Sequence, residues 1–236
     1  MHVHLPKPLH GWRAFVGEVG IIVIGVLIAL AADEAVETLR WHHQVLLAEE
    51  ELKSPIERDL VNAAQRTMEA TCVARRLGDL SVLLENAQTV GRLPAIGTIG
   101  DPPRGPWTFQ TWDALVSGQI VVHMPQKKMM AYSNVQRIAA YLSQLDDLEA
   151  DQWTTLRTME GPGRRLSDTE AEQLRLTLAH AAAANQNTVR VGNNLRERIR
   201  EYYLADRRTF ARTDKEAAAR AAHASICQPL SPLTRA

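Results

Sequence analysis

The sequence has few aromatic residues and almost no cysteine, and its charges cancel. Aromatic residues make up 5% of the 236 residues, which is poor material for a β-sandwich or a β-barrel. Two cysteines exclude a disulfide-rich scaffold and a cysteine-based zinc finger. Basic and acidic residues number 27 each, so the formal net charge is zero. This balance argues against a nucleic-acid partner, because phosphate binding requires a basic surface.

Motifs for catalysis and cofactor binding are also missing from the sequence. It contains no G-x-S-x-G, S-x-x-K or H-E-x-x-H pattern, and no P-loop or G-x-G-x-x-G pattern. The adjacent His42 and His43 would point to different faces of a helix, so they could not share a metal ion. We therefore expect no catalytic residues, no cofactor and no metal site.

One long hydrophobic run stands near the start of the chain. Residues 14–32 contain a single charged residue, Glu18, and as a helix they would extend roughly 28 Å, close to the thickness of a bilayer core. Lys7 and Arg13 precede the run, and acidic residues follow it. Because positive residues stay cytoplasmic, we expect residues 1–13 inside, a transmembrane helix over 14–32, an extracytoplasmic domain over 33–228 and a tail over 229–236. The lipid bilayer is thus an expected partner.

A cleaved signal peptide is the alternative interpretation of this run. Lys7 and Arg13 would form its basic region, and Ala29-Leu30-Ala31 would be its cleavage site. A helical pattern that continues beyond Ala32 favours a retained anchor. Both interpretations export the rest of the chain.

The apolar run carries a stripe of residues at alternating spacings of four and three. We call Glu18, Ile22, Gly25, Ala29 and Ala32 the anchor stripe, since this spacing keeps one helix face against a neighbour. Gly25 and Ala29 form a small-xxx-small pair, which allows close approach of another helix. Three roles are open for Glu18: it faces a partner, it snorkels to the inner headgroups, or it takes part in proton or ion movement.

Two segments carry a resemblance to a known family. Residues 17–30, GEVGIIVIGVLIAL, resemble the anchor of a widespread uncharacterised bacterial family, which begins G-E-[IV] and ends G-[IV]-L-I-A-L. Residues 111–120, TWDALVSGQI, resemble a second, mid-chain segment of that family. The resemblance implies a single-pass protein of the bacterial inner membrane with an exported, periplasmic helical domain, and it implies no activity.

Helical periodicity accounts for most of the remaining chain, which predicts an all-α fold. The membrane helix is expected to extend outward as a stalk to about Lys53, followed by an antiparallel helical bundle. Ser54-Pro55-Ile56-Glu57 and Ser167-Asp168-Thr169-Glu170 have the pattern of capping boxes, which begin helices. The expected helices cover residues 54–89, 107–118, 125–160, 167–208 and 215–224, with a Pro/Gly-rich loop at 91–106 and one candidate strand at 119–123.

Two further groups of side chains stand out in the expected exported domain. Trp107, Phe109 and Trp112 follow the Pro/Gly-rich loop and form either a core plug at the end of the bundle or a lip for a partner or ligand. Cys72 and Cys227 are expected to pair in an oxidising compartment, and two buried thiols are the alternative.

These features favour a membrane-anchored accessory or scaffolding subunit without catalytic activity of its own. Its partners would be other membrane protein subunits or further copies of itself. An extracytoplasmic sensor or ligand-binding module that signals through a membrane partner is the second hypothesis. An enzyme whose site none of these motifs covers is the third.

Overall fold

The computed structural model of the protein describes residues 11–107 and 110–230, without the side chains of residues 13 and 14. Its helices are α1 (Gly11–Glu51), α2 (Lys53–Val90), α3 (Gln110–Ser117), α4 (Gln126–Leu156), α5 (Asp168–Glu201) and α6 (Arg207–Ala221). Short 3₁₀ turns cover Ile120–His123, Arg157–Met159 and Ser225–Cys227. The only strands of the described ranges are β1 (Arg92–Leu93) and β2 (Arg164–Arg165). The predicted all-α class is confirmed.

The chain divides after Ala48 into two units. The described part of the first unit is helical throughout and belongs to α1. Its apolar run is exposed almost everywhere, with Ile21 at 74% and Ile28 at 65% of full exposure. Among the described residues, this is the one helix that is long and apolar enough to cross a membrane.

The second unit is built around α2. Helices α5 and α6 pack against α2, and α4 packs against α5. Buried apolar residues recur along α2 at the three- and four-residue spacing of a helix face, and they are Ile56, Leu60, Ala63, Val73, Leu77, Leu80 and Leu84. Helix α6 is also tied to α5, because Arg196 forms an ion pair of 2.7 Å with Asp214 and Arg200 lies over the ring of Phe210.

The Pro/Gly-rich loop at 91–106 belongs to the second unit. Strand β1 pairs antiparallel with β2, and Ile96 exchanges two backbone hydrogen bonds of 3.0 and 2.8 Å with Gly161. Two residues of the loop, Ile96 and Ile99, are buried in the core. The predicted strand at 119–123 is wrong. Gln119 has a φ of 60°, which turns the chain sharply after α3, and a 3₁₀ turn follows.

The first predicted capping box is wrong. Helix α2 begins at Lys53, so Ser54 lies inside it, and the preceding Leu52 has helical φ and ψ of −72° and −15°. An N-cap side chain needs an extended backbone in order to reach the free N–H groups of the first turn. The backbone is instead nearly helical from α1 into α2, and Ile56 N–H donates to Leu52 O at 3.3 Å.

The second capping box is confirmed at its serine. Ser167 has an extended backbone, and its hydroxyl accepts a hydrogen bond of 3.2 Å from Glu170 N–H. The predicted end of this helix at residue 208 is wrong, because α5 ends at Glu201 and Tyr203 adopts a φ of 55°. A new helix then begins, and the Asp206 carboxylate caps it by accepting from Thr209 N–H at 2.7 Å. The predicted start of the last helix at residue 215 is therefore also wrong.

Candidate functional site

The anchor stripe lies along α1, entirely within the first unit. Glu18, Ile22, Gly25, Ala29 and Ala32 are all exposed, and Ile22 retains 65% of its full accessible surface. At Gly17, Gly20 and Gly25, nothing in the described chain beyond the local helix backbone lies within 4 Å of where a β-carbon would stand. This face of α1 is therefore open to whatever surrounds the helix.

The tryptophans that follow the Pro/Gly-rich loop lie in the core of the second unit. Trp107 is 4% exposed, and its indole Nε1–H donates to Asp146 Oδ2 at 2.6 Å. Trp112 is 6% exposed and its ring centroid lies 6.0 Å from that of Tyr132. Phe109 lies outside the described residues. The two tryptophans match the core plug considered from the sequence, and the predicted partner or ligand lip is wrong for them because their rings are covered.

The two cysteines join α2 to the 3₁₀ turn at 225–227. Cys72 and Cys227 form a disulfide bond, with 4.8 Å between their α-carbons. Arg76, one turn further along α2, is buried and fixes the same region. Its guanidinium donates to the backbone carbonyls of Ile99, Ile226 and Gln228. The bond and the arginine together hold the segment around residues 225–228 on α2 and beneath the loop.

A buried ion pair lies at the centre of the second unit. Arg66 on α2 and Glu149 on α4 are 1% and 0% exposed at their side chains, and Arg66 Nη2 lies 2.6 Å from Glu149 Oε1. The same Nη2 donates to Asn185 Oδ1 on α5 at 3.0 Å, and Nη1 donates to Pro103 O in the loop at 3.4 Å. A single guanidinium therefore connects three helices and the Pro/Gly-rich loop.

The polar contacts continue beneath the loop. Asp146 Oδ2 accepts from Trp107 and, at 3.3 Å, from Gly105 N–H. Gly105 packs so closely on Asn62 that an added β-carbon would lie 2.3 Å from Asn62 Nδ2. Only glycine fits at this position while Asn62 keeps its place.

Burial dominates the electrostatics of these carboxyl groups. It raises the pKa of Glu149, and the neighbouring Arg66 guanidinium opposes that shift. Burial likewise raises the pKa of Asp146, against the hydrogen bond from Trp107. Asp59, elsewhere on α2, is 0% exposed, and desolvation raises its pKa to about 8, opposed by the charge of Arg58. Within the described chain no hydrogen bond reaches either carboxylate oxygen of Asp59.

Carboxyl groups with raised pKa values are common at catalytic sites, but these face inward. Glu149 and Asp59 are fully buried, and the contacts of Arg66 fix helices and a loop to one another. These contacts therefore stabilise the packing of helices and loop in the second unit. In the described part of the chain, no three His, Cys, Asp or Glu side chains lie close enough together to hold a metal ion.

This polar cluster was not predicted from the sequence, although a signal for it is present there. Asp59, Asn62, Arg66 and Glu69 follow one another at spacings of three and four, so they share one face of α2. Such a polar stripe is typical of a solvated helix face. Here α5 and α6 pack on α2, and Glu149 of α4 pairs with Arg66, so the stripe is buried instead.

Comparisons of the chain with protein-family models, with curated proteins and with solved structures found no match.

Proposed function

We propose that this protein is a single-pass, membrane-anchored accessory subunit. Residues 14–32 of α1 span the bacterial inner membrane with the N-terminus in the cytoplasm. The second unit, an antiparallel helical bundle in the periplasm, supports partner proteins there. In this proposal the anchor stripe contacts another membrane helix.

The observation that carries this proposal is the exposure of almost all the described side chains of the apolar run in α1. Val, Ile and Leu side chains there pack on nothing else in the described chain, with Leu30 at 61% and Ile24 at 58% of full exposure. Exposed apolar surface on this scale marks a membrane or an interface, since each buried CH₂ gains about 0.8 kcal/mol. The length of the run fits a bilayer.

The disulfide supports the orientation. Structural disulfides persist in oxidising compartments and are rare in the bacterial cytoplasm. Cys72 and Cys227 both lie in the second unit, so that unit fits an exported location, which agrees with the positive residues ahead of the apolar run.

Replacement of Glu18 by leucine tests the anchor. We expect Glu18→Leu to insert normally, because it removes a charge from the span, and to weaken lateral association, because it removes a polar group from the stripe. The measurement is the size and mass-spectrometric composition of the complex after gentle detergent extraction from the native membrane. A complex of unchanged size and composition would contradict a partner-facing Glu18.

A matched control moves the carboxylate without changing the composition of the helix. In Glu18→Gly/Gly20→Glu the acidic group lies about 200° around the helix axis from its original face. If Glu18 contacts a partner, this variant should lose association as Glu18→Leu does. If Glu18 only snorkels to the headgroups, association should persist in the swapped variant. Isolation of this chain alone, with one copy per particle, would overturn the proposed function.

A further inference from the structure

A surface groove runs between α4 and α5 in the second unit, and we call it the α4–α5 groove. It has a volume of about 690 Å³ and is open to solvent. Ile138, Tyr141 and Val191 give it an apolar lining, and Tyr141 retains 48% of its full exposure. Small-molecule sites usually enclose about 70–90% of their ligand. An open groove between two helices is better suited to a third helix, which needs only one face covered.

Two arginines without acidic partners flank this lining. Arg137 on α4 donates to Asn134 Oδ1 at 3.1 Å, and Arg190 on α5 donates to Asn187 Oδ1 at 3.0 Å. Within the described chain neither forms an ion pair. Other arginines of α5 are paired with carboxylates, among them Arg196 with Asp214 at 2.7 Å. The groove thus offers two guanidinium groups whose planar forks match carboxylates.

The spacing of the two arginines follows from contacts between the helices. Glu149 of α4 and Asn185 of α5 both accept from one nitrogen of Arg66, so these two residues lie level with each other. Asn134 Nδ2 donates to the Tyr202 hydroxyl at 2.9 Å, so residue 134 lies level with residue 202. Because the numbers rise along α4 as they fall along α5, the helices are antiparallel, and in this register Arg190 lies level with Leu145. Leu145 is eight residues beyond Arg137 on α4, which corresponds to a distance of about 12 Å along the groove.

We infer that the α4–α5 groove is the docking site for an acidic amphipathic helix of a partner protein. This helix places apolar side chains on Ile138, Tyr141 and Val191 and carries two carboxylates about two turns apart, which pair with Arg137 and Arg190. Two turns of a helix measure roughly 11 Å, close to the spacing of the arginines. Tyrosine and arginine are also the residue types that most often dominate the energy of protein interfaces. The inference rests on the proposed function, whose partner class it specifies.

A synthetic peptide tests the groove directly. The probe is a helical peptide of about 20 residues, with leucines along one face and two glutamates on that face two turns apart. A matched peptide carries lysines in place of the glutamates. Binding to the full chain in zwitterionic lipid nanodiscs is measured by fluorescence anisotropy, with empty nanodiscs as the blank. We expect the glutamate peptide to bind roughly tenfold more tightly than the lysine peptide.

Charge reversal supplies the specificity control. Arg137→Glu/Arg190→Glu should weaken the glutamate peptide by about tenfold and strengthen the lysine peptide. The matched variant Arg207→Glu/Arg208→Glu changes the same net charge on exposed residues at the start of α6, and it should bind both peptides as the wild type does. Equal binding of the two peptides, or equal effects of the two double variants, would overturn the inference. If a fatty acid such as laurate binds in an arginine-dependent way and neither peptide binds, the groove takes a small amphiphile, and the inference is overturned as well.

The two proposals fail in different ways. If the native complex is isolated intact from Arg137→Glu/Arg190→Glu, the accessory role stands and the groove is not its docking site. If no complex exists in the native membrane but the peptides discriminate as expected, the accessory role is wrong and the groove still recognises acidic helices.

Discussion

Asp59 is a buried carboxyl group that the fold neutralises with a proton. It lies on α2 at 0% exposure, and in the described chain it has no hydrogen bond to either oxygen. A buried, unpaired carboxylate is costly, so the group takes up a proton instead. This is the cause of its pKa of about 8.

The stability of the second unit should therefore fall as the pH rises from about 4 to about 8. Over that range Asp59 holds its proton in the folded protein and loses it in the unfolded chain, so the folded state binds more protons. The limiting slope is about 1.4 kcal/mol per pH unit from this group. Denaturant unfolding at several pH values should show a shallower decline for Asp59→Asn. The exposed Asp147→Asn serves as control, and a decline as steep in Asp59→Asn as in the control would refute the assignment.

At the residue scale, the sequence predicted which side chains form the apolar core better than which charges are buried. The three- and four-residue spacing of leucines predicts an apolar face for α2. Leu60, Leu77, Leu80 and Leu84 on that face are all buried, whereas Met68, predicted on the same face, is 42% exposed. Arg66 and Glu149 were not expected in the core. Periodicity shows which residues share a face, but the number of neighbours around a helix depends on tertiary packing.

At the scale of elements, two serines in the same local pattern behave differently. Ser54 and Ser167 each stand three residues before a glutamate. Ser167 follows strand β2 and has an extended backbone, so it caps α5, whereas Ser54 continues a nearly helical chain and caps nothing. A capping pattern predicts a helix start only where the preceding chain is not already helical.

This difference predicts unequal effects of the same substitution. Ser167→Ala should destabilise the second unit by about 1 kcal/mol, because it removes a hydrogen bond to a free N–H of the first helical turn. Ser54→Ala should change stability by less than about 0.5 kcal/mol. Urea unfolding of both variants measures the difference. Equal losses of stability at the two positions would contradict the prediction, because the loss at Ser167 would then not depend on its cap.

Helix ends were the least predictable feature of the elements. Apolar residues at helical spacing continue across the true end of α5, so the sequence predicted one helix to residue 208. The break arises from the left-handed backbone of Tyr203 and the cap of Asp206. A tyrosine seldom adopts a positive φ, so its sequence gives no warning of one.

At the scale of the whole molecule, the disulfide closes a long covalent loop. It joins residues 155 positions apart, and the chain-entropy account gives such a loop about 5 kcal/mol of stabilisation. We expect Cys72→Ala/Cys227→Ala to lose several kcal/mol and to become insensitive to reductant. Urea unfolding of both proteins, with and without dithiothreitol, measures this. The prediction would be contradicted if thiol labelling showed that the bond in the wild type is broken by dithiothreitol but its urea midpoint did not change.

The sequence predicted this large-scale organisation unevenly. An apolar run of bilayer length needs no tertiary information, so the helix could be predicted from composition alone, and two cysteines allow only one intramolecular pairing. The α4–α5 groove and the link from Arg66 to the loop depend on the register between distant helices. No local pattern encodes that register.

The covalent link between α2 and the turn at 225–227 has a consequence for the biogenesis of the protein. Cys72 is synthesised 155 residues ahead of its partner. At roughly 5–20 residues per second, about 8–30 seconds pass before Cys227 exists. In the proposed topology, Cys72 would already be across the membrane for much of this interval, with a free thiol in an oxidising compartment. Correct maturation would then depend on the oxidation catalysts of the periplasm acting late, or on their reversing an early mispaired bond.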